Sequence, residues 1–513
     1  MAAERLASSW RLAGLLGDGV EISEELDVPV SGLSSDSRTI EAGQVFFARR
    51  GNVTDGALHI EDAVRAGAAA VVRAGAPAVS RRADGVVEVC VEDVAAAIGA
   101  AADRFYQSPS RALTVIGVTG TNGKTSVAHF VAQAFARIGE APCGVLGTLG
   151  QGLPGALRAS ALTTPDAIAV HRALAELRAQ GARHAVMEVS SHALDQGRVA
   201  GVAFDGAVFT NLTRDHLDYH DGMQAYADAK RKLFEVPALR FAVVNADDAF
   251  GRRLIAARRA GLRTIAYAAS GVDGAHAAPR VEGEVERLEA RIDTSGDGIA
   301  MDIVMHVGGE FGEGRLRSGL IGRFNAYNLL AAMGALLAIG WPFDRALRAL
   351  ASVEAPAGRL QRFGGGDRPL VVVDYSHTPD SLGRALETLR PICRGRLWCV
   401  FGAGGDRDRG KRPMMGAAAA AHADVLVLTD DNPRGEDGDR IIEDIRPGIP
   451  EGATVHTERD RAAAIARAIA EAARDDVVLV AGKGHENYQE VAGRRLPFSD
   501  AAAVRAALEA RPA

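Results

Sequence analysis

Leu113-Thr-Val-Ile-Gly-Val-Thr-Gly-Thr-Asn-Gly-Lys-Thr125 decides the reading of this chain, because an apolar run there ends in a glycine-rich turn. Beyond it Val127, Phe130, Val131, Ala134, Phe135 and Ile138 recur at helical spacing, and Gly139 is placed to end the helix. Strand, glycine turn and helix in that order make a phosphate cradle. Glycines permit the tight turn that aims successive N–H groups at phosphate oxygens, and the helix N-terminus adds partial positive charge. Gly120, Thr121, Asn122, Gly123 and Ser126 would line the phosphates, with Lys124 reaching the β- and γ-phosphates and the Thr125 hydroxyl ligating Mg²⁺. The spacing departs from the usual loop. That loop has a glycine five residues ahead of the Gly-Lys pair, where Val118 stands, and Gly117 comes one position too early.

Outward from the loop the alternation continues. Buried-strand runs at His184–Glu188, Gly206–Phe209, Phe241–Asn245 and 264–267 are separated by helical stretches, which predicts a largely parallel sheet covered on both faces. Upstream, shorter apolar runs such as Gln44–Ala48 and 69–72 suggest a small α/β unit, closed by the linker-like Tyr106-Gln-Ser-Pro-Ser110. Downstream of Val353-Glu-Ala-Pro-Ala357, four more runs (Leu370–Asp374, Leu397–Phe401, 425–429 and Val477–Ala481) read as a Rossmann-like domain. The expectation is an α/β protein of three domains, at 1–111, 112–352 and 353–513. Residues 271–314 carry no usable motif.

Composition narrows the class. The 513 residues are 47% hydrophobic and 24% charged, with a formal charge of −6, which describes a globular protein and argues against nucleic acid as the main partner. Cys90, Cys143, Cys393 and Cys399 form no CxxC pair, as expected of buried thiols in a reducing compartment. The first thirty residues lack a signal-peptide core, and the apolar run 329–341 is too short to span a bilayer. A cytoplasmic protein without membrane insertion is expected, with a monomer as the simplest state.

Several companions of the loop carry chemistry. Glu188 ends a strand in Met187-Glu-Val-Ser-Ser-His192, well placed for Mg²⁺, although a solvated strand-end acid looks the same in sequence. In Asn211-Leu-Thr-Arg-Asp-His-Leu-Asp-Tyr-His220, two histidines and two aspartates raise zinc, but no cysteine is near to complete a usual ligand set. Lys230 reads as a surface helix lysine. Asn325 and Asn328 share a helix face and could read a purine edge, with helix capping the alternative for Asn325. Thr164 and Pro165 also suit helix initiation, as N-cap and first residue.

Gly120-Thr-Asn-Gly-Lys-Thr125 is the loop form typical of the Mur ligases and the related folylpolyglutamate synthetases, and the resemblance to Mur ligases extends over essentially the whole chain. It implies an ATP-dependent, amide-forming enzyme with small-molecule substrates, in which Lys124, Glu188, His216 and Lys230 are catalytic. By that resemblance Glu188 and His216 bind magnesium ions, and Lys230 carries a CO₂-derived carbamate that supplies an anionic oxygen ligand to Mg²⁺. Asn325 and Asn328 match the adenine-contacting segment and Asp374 the ribose-contacting one, with Arg359 and His377 approaching the nucleotide from the third domain. Ser35 and Ser37, in Ser35-Asp-Ser-Arg38, resemble the site for the uridine diphosphate end of the precursor. Thr163, Thr164, Ser190, Gln196 and Arg198 fall where its sugar–peptide part is held; Asn52-Val-Thr54 departs from the form seen in some relatives.

Three strings in the last domain resemble the branch that adds meso-diaminopimelate: 402–412, Asp431-Asn-Pro-Arg434 and Gly482-Lys-Gly-His-Glu486. They imply that Arg407, Asp431, Asn432, Pro433, Arg434, Gly482 and Glu486 bind that amino acid, although Asp431-Asn-Pro-Arg434 alone would pass for a surface turn. An arginine fork can grip the second carboxylate of diaminopimelate, whereas lysine's cationic tail would be repelled. A ligase adding another amino acid, such as L-lysine, is the alternative.

Overall fold

The computed structural model describes residues 10–51, 54–138, 142–217, 219–271, 285–295 and 298–511. Three main sheets follow one another along it. The first runs Gly32–Ser34, Gln44–Ala48, Ala70–Ala74, Val87–Val91, Ala78–Arg81, all parallel except the last strand. The helix Val94–Phe105 closes this unit, and Gln107 and Ser108 then turn left-handed (φ 60° and 46°) before the second sheet begins.

That sheet has ten strands among the described residues, with Thr114–Thr119 between His184–Glu188 and Gly206–Phe209, both parallel to it. Its central strands are continuous apolar runs because both faces are buried, successive side chains entering opposite cores. Ile116, Val118, Val186, Val208 and Val243 pack under Lys124–Ile138 and Arg323–Ala338, while Val115, Met187, Ala207, Phe209 and Val244 fill the opposite core. The apolar run 329–341 begins within the second of those helices, where Leu329 through Leu337 are all buried. Among the described residues no helix is long and apolar enough to cross a membrane.

Of the motif-free stretch 271–314, residues 272–284 and 296–297 lie outside the described residues, and the rest is mostly strand. Glu286–Ser295 adds to the sheet parallel to Arg263–Gly271, and Gly298–Val307 and Glu310–Ser318 then continue it antiparallel. Ile299, Met301, Ile303, Met305 and Val307 alternate inward onto Arg323–Ala338 and Phe343–Ala351, a period-two pattern readable in the sequence.

The third sheet has the order Gln361–Gly364, Leu370–Asp374, Val477–Ala481, Leu397–Phe401, Val425–Leu428, Thr454–Thr457. All but the first strand are parallel, and a hairpin, Tyr488–Val491 with Arg494–Pro497, stands apart from the sheet. The edge strands Gln361–Gly364 and Thr454–Thr457 were not among the expected runs, because they are short and half exposed. Carboxyl ends of the parallel strands are where open α/β sheets bind ligands. Glu188, Asp374, Asp431 and Gly482 all stand at such ends.

Candidate active site

The loop after Thr114–Thr119 is held from several sides. Thr121 N donates to Asn211 O and Asn122 N to Asn211 Oδ1, so one asparagine occupies two loop amides. Gly120 has φ 148°, and a Cβ there would lie 1.9 Å from Thr210 Oγ1; at Gly123 (φ 86°) it would lie 2.3 Å from Asn328 Oδ1. These two positions need glycine. Gly117 instead sits inside the strand, pressed on Phe204 and Leu233, so it is a packing glycine rather than part of the cradle.

Lys124 and Lys230 converge on one oxygen. Lys124 Nζ donates to Gly120 O (2.8 Å) and Thr121 O (2.9 Å), and Lys230 Nζ donates to Gly120 O (2.9 Å). Lys230 is 1% exposed, which corrects its reading as a surface lysine. The helix Met223–Arg231 turns it inward with Tyr226, whose hydroxyl meets Thr121 Oγ1 at 3.1 Å. Burial, then the charge of Lys124, holds the Lys230 ammonium well below its usual range. Burial also pushes Lys124 down, and the charge of Arg359 from the third domain adds to that.

Glu188 is buried, not solvated, and both its oxygens are occupied. Oε2 accepts from Thr125 Oγ1 (2.8 Å) and Thr148 Oγ1 (3.2 Å), and Oε1 from Thr148 N (2.7 Å). Thr148, which the sequence did not flag, passes the network on to Thr163 Oγ1 at 3.0 Å. Thr164 Oγ1 donates to Glu188 O and accepts from Ser190 N. Thr164 is therefore not a helix cap. Asp166 is the N-cap of Ala167–Ala179, because its carboxylate reaches the amide of Ala169, and Pro165 precedes it. Ser190 caps Ser191–Asp195, and the chain then brings round Gln196 and Arg198, whose Nη1 donates to Thr164 O.

His216 lies in a left-handed conformation (φ 52°) beside Asp215, with its side chain 44% exposed. It joins a ring cluster with His192 (4.8 Å) and Tyr226 (6.1 Å), while His220 is buried against Ser191 Oγ. Asp218, Asn52 and Gly139 lie outside the described residues. Among the described residues no three His, Cys, Asp or Glu side chains form a metal-ligand group. The adjacent Thr125 hydroxyl and Glu188 carboxylate are the oxygen donors hard Mg²⁺ prefers. Two amines on one carbonyl also favour a neutral Lys230, the form that reacts with CO₂, so these residues fit Mg²⁺ and a carbamate.

Asn325 and Asn328 are buried against the loop. Asn328 Nδ2 donates to Asn325 Oδ1, and Asn325 Nδ2 to Ile321 O, inside a helix that Gly322 precedes; Asn325 is not its cap. Ser126 is buried in the loop helix. Ser35 follows the strand Gly32–Ser34, and Ser37 opens a short 3₁₀ turn that Asp36 caps.

Around the third sheet, Asp374 Oδ2 accepts from Leu360 N and Oδ1 from Ser376 N, which fixes the loop carrying Arg359. The Arg359 guanidinium lies 5.4 Å from the Tyr375 ring, and its buried Nε makes no hydrogen bond. His377 Nδ1 bonds Tyr375 O. Asn432, Lys483 and Glu486 form a buried knot: Lys483 Nζ donates to Asn432 Oδ1 and Glu486 Oε2, both at 2.9 Å, and Asn432 Nδ2 donates to Glu486 Oε2 at 2.8 Å. Asp431 is buried beside Gly482, where a Cβ would lie 2.4 Å from its Oδ2; burial pushes its carboxyl up. Arg434 follows Pro433 at φ 54°, 22% exposed, donating to Gly405 O and pairing with Glu490 Oε2 at 3.3 Å. Its guanidinium is thus already engaged by an acid of the hairpin. Arg407 stands exposed on the loop after Leu397–Phe401. Asp431-Asn-Pro433 is buried, so the surface-turn alternative for this string does not hold.

Beneath these loops lies a pair that no motif announced. Arg461 and Asp500 are both 0% exposed and doubly bonded at 2.7 and 2.8 Å, and Arg461 also donates to Asp430 O and Ala481 O.

Sequence profiles described as Mur ligase family, catalytic domain, as Mur ligase middle domain, and as Mur ligase, glutamate ligase domain match residues 29–106, 118–336 and 358–484 respectively. A UDP-N-acetylmuramoyl-L-alanyl-D-glutamate–2,6-diaminopimelate ligase of Ectopseudomonas mendocina is 50% identical over 486 residues, 95% of this chain and 96% of its own length. The protein of the same description from Pseudomonas aeruginosa is 51% identical over 486 residues, with the same coverage. A solved structure of a ligase so named superposes with a TM-score of 0.70 at 36% identity, covering 98% of this chain and 99% of the other. The strand-end loops, the paired lysines and these matches together make this chain a member of the Mur ligase family.

Proposed function

We propose that this protein is an ATP-dependent ligase that joins meso-2,6-diaminopimelate to UDP-MurNAc-L-Ala-D-Glu in peptidoglycan precursor synthesis. The observation that carries the chemistry is the meeting of Lys124 and Lys230 on Gly120 O, beside the Thr125–Glu188 bond. Lys124 releases its loop carbonyls to meet the β- and γ-phosphates. The γ-carboxylate of the precursor's D-glutamate attacks the γ-phosphorus, ADP leaves, and an acyl phosphate forms. The amine of diaminopimelate attacks the acyl carbon, and phosphate leaves from the tetrahedral adduct. Electrostatic stabilisation and positioning carry most of such catalysis.

Thr125, Glu188, His216 and Lys230 as its carbamate would hold Mg²⁺, which neutralises phosphate charge when bound. Gly120 to Ser126, Asn325, Asn328, Arg359 and Asp374 hold ATP; Ser35, Ser37, Thr163, Thr164, Ser190, Gln196 and Arg198 hold the precursor. Arg407, Asp431 to Arg434, Gly482 and Glu486 hold the amino acid, with Arg434 exchanging Glu490 for the distal carboxylate. Functional domains divide at 111/112 and 352/353, and the enzyme works as a cytoplasmic monomer.

Incubation with UDP-MurNAc-L-Ala-D-Glu, ATP and meso-diaminopimelate, with phosphate release and product mass followed, tests the reading. Turnover without diaminopimelate, or equal use of L-lysine, would contradict it.

A further inference from the structure

At the seam between the first two units, two cations share one neutral acceptor. Arg198 gives Nε and Nη2 to Gln196 Oε1 (2.9 and 2.7 Å), and Arg49, at the end of Gln44–Ala48, reaches the same oxygen with Nη2 at 3.5 Å. Gln196 Nε2 is held by Tyr219. Among the described residues neither guanidinium pairs with a carboxylate, although both are partly buried. Burial, and next the charge of Arg49, push the Arg198 guanidinium down from its ordinary range. Two like charges drawn out of water around a neutral amide oxygen are stabilised by an anion arriving between them.

The seam is also connected to the reacting end. Arg198 Nη1 bonds Thr164 O, Thr164 Oγ1 bonds Glu188 O, and Glu188 Oε2 accepts from Thr125 in the phosphate loop. A group gripped at the seam therefore lies a few side chains from the γ-phosphate.

We infer that Arg49 and Arg198 form an interdomain clamp for the α-carboxylate of the precursor's terminal D-glutamate, and that Arg49 thereby determines which of its two carboxylates is activated. With the α-carboxylate held between two guanidiniums, only the γ-carboxylate is free to meet the phosphate. This inference rests on the proposed ligase reading and adds to it a residue from the first unit.

The test compares UDP-MurNAc-L-Ala-D-Glu with UDP-MurNAc-L-Ala-D-isoglutamine, whose α-carboxylate is a carboxamide and whose γ-carboxylate is intact. The wild-type enzyme is expected to prefer the acid by about 10- to 100-fold in kcat/KM, the range for losing a charge-assisted bond. Arg49→Gln should raise KM for the acid about 10-fold, leave KM for ATP within about two-fold, and shrink the acid-over-amide preference; Arg49→Lys, which keeps the charge and loses the fork, should fall between Arg49→Gln and wild type. Equal losses on both substrates, or an unchanged preference, would overturn the clamp. Absence of phosphate release from the wild-type enzyme with the acid precursor would instead overturn the ligase reading.

Discussion

Removing one member of the Arg461–Asp500 pair should damage the third unit far more than removing both. Each side chain is 0% exposed, and two short bonds join them. Asp500→Ala leaves a guanidinium in a dry site with its countercharge gone, at a cost of about 3–5 kcal/mol, whereas replacing both members with apolar residues of similar volume is often near neutral. Arg461→Met with Asp500→Leu is therefore expected to recover most of the stability. Urea unfolding followed by Trp398, buried and the only tryptophan beyond residue 353, separates the cases once Trp10 and Trp341 are changed to Phe. Function should part from stability in the double variant. Arg461 also ties Asp430 O and Ala481 O, the residues just before Asp431 and Gly482, so KM for diaminopimelate should rise about 10-fold even where folding recovers. A single variant that loses less than about 1 kcal/mol would refute the claim that this is an ion pair sealed from water.

His129 is buried, its Nε2 lacks a partner, and burial holds its pKa at about 4. Its neutral form belongs to the folded state, so its contribution is full above the unfolded value near 6.5 and is lost on acidification. Wild type should lose about 2.5 kcal/mol more than His129→Leu between pH 7.5 and 4.5, read from urea midpoints. Lys230→Met should cut turnover at least about 100-fold, beyond the usual loss of a ligand's supporting contact. Degassed, bicarbonate-free buffer should slow the wild-type enzyme reversibly, and activity indifferent to bicarbonate would argue against a carbamate. Arg434→Leu should lower kcat/KM for diaminopimelate about 100-fold and narrow its advantage over L-lysine, measured by competition.

The parallel strands were legible because burial on both faces writes them as continuous apolar runs, and His184–Glu188, Gly206–Phe209 and Phe241–Asn245 begin and end where those runs do. The strands Glu286–Ser295, Gly298–Val307 and Glu310–Ser318 were not legible as a group, although Ile299 to Val307 alternate plainly, because the two flanking strands carry many charged residues on their outer face. Site residues in contiguous strings were readable in kind but not in partnership. Nothing local says that Lys230 turns inward, that Glu490 meets Arg434, or that Asn211 plugs the loop, because those contacts join segments distant in sequence. Thr164 misled for a related reason. Its hydroxyl answers to Glu188 across the sheet, and Asp166, two residues on, does the capping.

The phosphate loop is densely bonded within the protein: Asn211 occupies two amides, and Lys124 turns back on two carbonyls. Loading nucleotide is consequently a swap, in which several internal contacts must break for several external ones to form. A ligand long enough to meet several of these amides and the Lys124 ammonium at once can offset the bonds it displaces, which favours a polyphosphate chain over a small anion.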